Sequence, residues 1–268
     1  MWKLRRVELL EETLKELGSV AVAFSGGVDS TFLLYVAINA LGKENVMAIT
    51  VNATATPEKD LEDAVDFLYD NEIKYEVIKF DQLAVEGFKE NEKDRCYICK
   101  KAMYTKIKEV AAENGFEYVV DGTNFGDWWD FIYEHRPGVK ALLELEIRLP
   151  LVNVELYKPD IRKLSEHYGL ETAYKDSSPC LATRVKCGDV ITEEKLKMIG
   201  EAEQFLYEKG FKQIRVRMIG NDANVEVRHD KVENLEKMKD ELQARLKEIG
   251  FEKVEINPNG YYEGRMNG

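Results

Sequence analysis

The stretch VAVAFSGGVDSTFLLYVAINAL, residues 20–41, decides the fold. Its first five residues are one continuous apolar run, the pattern of a short strand buried on both faces in a parallel sheet. Its last eleven read as a helix. Between them stands Ser25-Gly26-Gly27-Val28-Asp29-Ser30. Two glycines let backbone amides approach an anion without interference from a Cβ. The helix that follows offers unpaired N–H groups at the positive end of its dipole. Ser25 and Ser30 add hydroxyl donors. A plain turn with Asp29 or Ser30 as helix cap explains either residue alone. It does not explain the whole string after a buried strand. The chain has no G-x-x-x-x-G-K-[ST], so the reading is a phosphate loop of another type.

Working outward, Val7, Leu10, Leu14 and Leu17 share one helical face upstream. Downstream, the apolar runs VMAITV (46–51), YEVIKF (75–80) and EYVVD (117–121) each follow a helical stretch. Strands alternating with helices predict an α/β fold with a parallel sheet. After residue 188 the pattern changes. A helix, EEKLKMIGEAEQFLYEKG, precedes two strands, QIRVRMIG and ANVEVRHD, joined by a tight polar turn. A helix with Val232, Leu235, Met238, Leu242, Leu246 and Ile249 on one face follows, then a strand, KVEIN. This order predicts a small α+β domain. The expected domains are therefore 1–187 and 188–268, with the boundary in SSPCLATRVKCGDVIT (177–192).

Composition narrows the function. With 268 residues, 44% of them hydrophobic, the chain can build a sizeable core and is not of the disordered class. A net charge of −12 argues against a nucleic-acid binder, because phosphate attraction needs a cationic face. No apolar run approaches the roughly 18 residues of a membrane helix. The N-terminus is basic only briefly before it turns acidic and amphipathic, so it reads as a surface helix and not as a signal peptide. A cytoplasmic location is expected. Four cysteines are too few for a disulfide framework in a chain of this size and read as thiols of a reducing compartment.

Cys96 and Cys99 form C-x-x-C, with Cys180 and Cys187 far downstream. On the residues alone, three readings stay open. Cys96, Cys99 and Cys180 supply three thiolates, which on a [4Fe–4S] cluster leave one iron open. Cys187 or a histidine would complete a zinc site. The bland reading is inert buried thiols. The cluster is favoured.

SGGVDS resembles the SGGxDS loop of the ATP pyrophosphatases, the PP-loop family. The resemblance implies cleavage of ATP between its α- and β-phosphates, adenylation of a carboxyl or carbonyl oxygen, and displacement of AMP by nitrogen or sulfur. It implies pyrophosphate on Ser25, Gly26, Gly27, Asp29 and Ser30, Mg²⁺ nearby, and adenine beside Ala23 and Thr50. RCYICK (95–100), DGTN (121–124), HRPG (135–138), IRLPL (147–151), SSPCLATR (177–184) and RVR (215–217) follow in that order. In this the chain is similar to the LarE family, ATP-dependent sulfur transferases of nickel-pincer cofactor synthesis. The segment WWDFIYE stands between DGTN and HRPG, where that family is shorter.

The LarE resemblance implies that a carboxylate of pyridinium-3,5-biscarboxylic acid mononucleotide becomes a thiocarboxylate. One variant of the family sacrifices the sulfur of a single cysteine. The other takes sulfide from a cluster held by three cysteines, and this chain resembles the second, with Cys96, Cys99 and Cys180 as ligands. Asp29 and Cys180 are the expected catalytic residues. Gly122 and Arg148, with Lys158, are expected on the ATP side, and Thr123 and Asn124 beside the substrate. Arg215 and Arg217 lie two apart on a strand and so share a face. Taken alone they fit a solvated face paired with acids such as Glu226; with the resemblance they read as the substrate-phosphate site, joined by Arg184 and Arg228 and oriented by Glu203. The expected partners are the mononucleotide, a sulfur-donor system and further copies of the chain in a homo-oligomer. The rival readings are a PP-loop tRNA thiolation enzyme, an amide-forming PP-loop ligase and a non-catalytic nucleotide-binding sensor.

Overall fold

The computed structural model describes residues 2–134 and 137–261. His135 and Arg136 of HRPG, and the tail from residue 262, lie outside the described residues. The elements run α1 Trp2–Leu17, β1 Val20–Ala23, α2 Val28–Leu41, β2 Val46–Ala53, α3 Glu58–Asp70, β3 Tyr75–Phe80, α4 Arg95–Glu113, β4 Tyr118–Asp121, α5 Phe125–Glu134, α6 Pro137–Glu144, α7 Pro150–Asn153 and α8 Lys158–His167. They continue with α9 Glu193–Glu208, β5 Arg215–Ile219, β6 Asp222–Glu226, α10 Val232–Lys237, α11 Lys239–Ile249 and β7 Val254–Ile256.

The first four strands form one parallel sheet in the order β3-β2-β1-β4. β1 is central and every one of its residues is buried, which is why it reads as an unbroken apolar run. Its two faces feed two cores. Val20, Val22 and Phe24 pack with Leu10, Leu14, Phe32, Leu33 and Leu68. Ala21 and Ala23 pack with Met47, Ile49, Tyr104, Ile107 and Leu142 on the other side. Each fully buried Leu or Phe contributes about 1.5–3 kcal/mol relative to exposure. The chain order reverses at β1, with β2 and β3 to one side and β4 to the other. The loops after β1 and β4 therefore flank the topological switch point, where open α/β sheets bind ligands.

By its contacts the chain forms two compact units. The first holds Met1–Ala53, Glu58–Asp81 and Cys96–Lys175; the second holds Thr54–Pro57, Gln82–Arg95 and Asp176–Gly268. The segment 176–187, read with the first domain in the sequence, groups with the second. Its anchors explain this: Leu181 N–H donates to Ala55 O at 2.8 Å, and Val185 bridges Met218 of β5.

The second unit has a three-stranded mixed sheet in the order β5-β6-β7, with β5 antiparallel and β7 parallel to β6. The helix expected across Val232–Ile249 is broken at Met238, which ends α10 and starts α11. β6 ends at Glu226, so Arg228 is not on the strand; it is exposed and paired with Asp230 at 2.9 Å. It does not join Arg215 and Arg217.

Candidate active site

Three segments of the first unit meet at the start of α2. The first is the loop 25–30. Gly26 has φ +67°, and a Cβ there would lie 2.9 Å from Cβ of Ala64 on α3, so both conformation and space demand glycine. Gly27 is the N-cap of α2 in extended conformation, with no side chain capping the helix. The opening N–H groups of α2 thus have no side-chain cap among the described residues, and neither Asp29 nor Ser30 serves as one. Ser30 is buried and holds the loop from inside: Ser25 N–H donates to its Oγ at 3.3 Å, and its hydroxyl donates to Gly27 O at 3.2 Å. The Ser25 and Ser30 oxygens are 3.2 Å apart.

The second segment is the turn after β4. Asp121 pairs across the sheet with Ala23 and is buried. Its carboxylate accepts the Thr123 N–H at 2.7 Å and the hydroxyls of Thr123 and Tyr104. Burial, and then the Asp121 charge, push the Tyr104 hydroxyl pKa well above its usual value. Gly122 lies against the loop so closely that a Cβ would come within 2.9 Å of Ser30 N. Asn124 caps α5: its Oδ1 accepts the N–H groups of Gly126 at 2.9 Å and Asp127 at 3.1 Å, while Asp127 Oδ2 accepts Asn124 N–H at 3.3 Å. This is a reciprocal capping box.

The third segment is the start of α8. Lys158 Nζ lies 3.4 Å from Asp29 Oδ2, and Asn124 Nδ2 donates to Asp29 Oδ1 at 3.5 Å. Burial raises the Asp29 carboxyl pKa; Lys158 opposes the shift and Asp127 adds to it. Asp29 is thus a half-buried carboxylate whose hydrogen-bond and ion-pair contacts among the described residues are long.

Of the other expected ATP contacts, Thr50 is buried and its hydroxyl donates to Phe24 O at 3.1 Å, so it fixes the backbone leaving β1. Arg148 is exposed, bridges Val120 in parallel, and holds its guanidinium 5.6 Å from the Tyr118 ring. That ring stands at the start of β4, and the phosphate loop at the opposite end of the sheet. The structure does not bring Arg148 to the loop. Within the insert, Trp128 packs on the core while Trp129 is 50% exposed and lies tilted against Tyr133, with ring centroids 4.6 Å apart.

In the second unit the arginines are buried and engaged. Arg184, 1% exposed, donates from Nε and NH2 to the two oxygens of Glu203, both at 2.9 Å, and from NH1 to Pro179 O at 2.6 Å. Glu203 also accepts Val216 N–H at 2.9 Å. Arg217 Nε pairs at 2.9 Å with Glu226, which is fully buried and also takes Asn257 Nδ2 at 3.0 Å. Arg215 differs. Among the described residues its partners are the carbonyls of Ile214 and Ser177 and the Tyr261 ring, 4.9 Å away, and no carboxylate pairs with it. Burial, and then the nearby Arg184 charge, lower its pKa.

Asn91, which the sequence reading passed over, organises the cysteine loop beside them. It has φ +57°, is buried, and donates from Nδ2 to Lys186 O at 2.7 Å and Asp189 O at 3.0 Å. Arg95 donates to Asn91 Oδ1 and, at 3.0 Å, to Ala182 O. Cys180 is half-buried at the start of the 3-10 turn Leu181–Arg184; its carbonyl accepts the Thr183 hydroxyl at 2.9 Å.

Cys96 is exposed and Cys99 buried in the first turn of α4, in the first unit. Cys180 and the exposed Cys187 belong to the second. Among the described residues no three His, Cys, Asp or Glu side chains form a group able to hold a metal. As donors, three thiols suit an iron–sulfur cluster in kind. No helix among them is long and apolar enough to cross a membrane.

Comparison with known proteins accords with this geometry. Residues 4–124, which carry the loop and the turn after β4, match the NAD synthase family. An uncharacterised protein of Synechocystis sp. is 33% identical over 264 residues, 98% of this chain and 97% of its own length. The pyridinium-3,5-bisthiocarboxylic acid mononucleotide synthase of Lactiplantibacillus plantarum is 31% identical over 258 residues, 96% of this chain and 92% of its own. An uncharacterised protein of Methanocaldococcus jannaschii is 31% identical over 259 residues, 95% of this chain and 96% of its own. At that identity over nearly the whole of both chains, this chain belongs to the LarE family of PP-loop, ATP-utilising enzymes, the family of the synthase from Lactiplantibacillus plantarum.

Proposed function

We propose that the protein is an ATP-dependent sulfur transferase that adenylates a carboxylate of pyridinium-3,5-biscarboxylic acid mononucleotide and converts it to a thiocarboxylate, releasing pyrophosphate and AMP. The observation that carries the reading is the uncapped start of α2 behind Gly26 and Gly27, in a chain similar along 96% of its length to a synthase of the bisthiocarboxylic acid. A carboxylate oxygen is a poor leaving group, and transfer to AMP replaces it with a phosphate. The loop amides at Gly26 and Gly27, Ser25 and Ser30 hold the departing pyrophosphate, with Mg²⁺ neutralising it near Asp29. Adenine sits beside Ala23 and Thr50, and the backbone at Gly122 closes that side.

In this reading the mononucleotide phosphate sits on Arg215 and Arg217, with Arg184 and Glu203 setting their geometry. Cys180 is the catalytic cysteine in the sense that it would hold the sulfur source for attack on the acyl carbon. The sulfur source is proposed to be a [4Fe–4S] cluster on Cys96, Cys99 and Cys180; when bound, its open iron supplies an extra sulfide. Support for that is the pair-plus-one spacing. The protein is proposed to work in the cytoplasm, as a homo-oligomer with a sulfur-donor system as partner. Anaerobically prepared protein given ATP, Mg²⁺ and the biscarboxylate mononucleotide is expected to release pyrophosphate and yield the thiocarboxylate. Pyrophosphate without sulfur incorporation would remove the transferase reading, and iron and sulfide analysis of the same sample decides the cluster.

A further inference from the structure

We propose that Tyr104 and Asp121 are positioning residues of the ATP site, acting on Asp29 through the turn 121–124. Tyr104 is 5% exposed and Asp121 8%. A carboxylate buried this far needs its lone pairs occupied. The three donors it accepts, the Tyr104 hydroxyl and the hydroxyl and N–H of Thr123, all come from the protein. Asp121 is thus a fixed point, anchored to α4 on one side and holding the turn on the other.

Two contacts carry that fixed point to the reacting loop. Gly122 is seated where a Cβ would lie 2.9 Å from Ser30 N and 3.1 Å from the carbonyl carbon of Asp29, so the backbone of the turn rests on the start of α2. Two residues later, Asn124 donates to Asp29 at 3.5 Å, the long end of the hydrogen-bond range. At that length a shift of a few tenths of an ångström in the turn makes or breaks the contact. Loss of the Tyr104 hydroxyl leaves one Asp121 oxygen without its donor and frees the turn to move. The side chain of Tyr104 is itself buried against Met47, Ile49 and Ile107 and acts only through Asp121.

The inference rests on ATP use and not on the identity of the acceptor, so a failed sulfur-transfer assay leaves its test intact. The test is calorimetric binding of Mg·ATP to Tyr104→Phe, Asn124→Ala and the double variant, beside their melting temperatures. Each single variant is expected to weaken binding about tenfold, the loss of roughly one hydrogen bond to a charged group. The double variant is expected to bind no more weakly than Asn124→Ala alone, since the two lie on one path. Multiplying effects would overturn the proposal, as would a Tyr104→Phe protein that melts earlier yet binds Mg·ATP unchanged. If Tyr104→Phe does not fold, Thr123→Val takes its place, removing a donor from the same carboxylate. It is expected to weaken binding a few-fold, again without further loss in the Asn124→Ala background; unchanged affinity there overturns the proposal equally.

Discussion

The phosphate loop and the arginine network are both charged, both near a strand end, and built on opposite plans. In the loop, the uncapped groups at the start of α2 belong to the backbone, and the Asp29 side chain is loosely held. Among the described residues, the Asp29 carboxylate has contacts of 3.4 and 3.5 Å. In the network, the side chains hold one another through buried 2.9 Å pairs, Arg184 with Glu203 and Arg217 with Glu226. Arginines buried in a small sheet must first satisfy the fold, a constraint that the half-buried Asp29 does not carry. Arg215 belongs to the first plan although it sits within the second.

The largest effect separates the two plans by stability. Arg217→Ala leaves Glu226 charged and fully buried, and is expected to cost about 3–5 kcal/mol in chemical denaturation. If it costs less than the noise of the measurement, the network is not structural and the contrast fails. Next, Asp29→Ala is expected to slow pyrophosphate release on the order of 100-fold with the melting temperature preserved. A collapsed fold would show that the loop, too, is held by its side chains.

Arg215→Ala sharpens the contrast inside the network. It is expected to weaken the mononucleotide by about 1.5–3 kcal/mol, with much less loss of stability than Arg217→Ala and unchanged Mg·ATP affinity. Calorimetry with each ligand separates these. The smallest effect is a pH dependence. Burial raises the Asp29 carboxyl pKa in the folded state, so the stability linked to it is fully present below the unfolded value, about 3.9, and is lost as pH rises through the folded value. Asp29→Asn is therefore expected to melt slightly higher than the parent at neutral pH and to lose that advantage in acid. An equal offset at every pH would show that Asp29 is not strained by burial.

What the sequence made legible was local. The runs 20–24, 46–51, 75–80 and 117–121 each became a parallel strand; in β1 and most of β2, burial on both faces leaves one unbroken apolar signature, whereas the edge strand β3 buries only Ile78 and interleaves charge. The loop was legible for the same reason, with all its parts inside six residues. The capping pair Asn124 and Asp127 was readable from its spacing and was overlooked. Arg228 was misplaced by extending a strand two residues past its end, and Arg148 because a motif position does not say which way a side chain turns. Nothing local links Tyr104 to Asp121, or Asn91 to the loop it holds 94 or more residues later. Those partners are set by the packing of whole elements. The break at Met238 likewise leaves the apolar spacing of α10 and α11 intact, with no proline or glycine to announce it.

The contact between Gly26 and Ala64 has a consequence for how such loops are recognised. The phosphate-loop signature is written as six consecutive letters, yet the space beside its first glycine is filled from α3, thirty-eight positions downstream. Ala64 is buried there, and an added Cβ on Gly26 would lie 2.9 Å from its methyl. Ala64 is thus a seventh letter of the pattern, invisible to any search confined to a window. A chain carrying SGGVDS with a bulky residue in its place would spell the motif without being able to fold it.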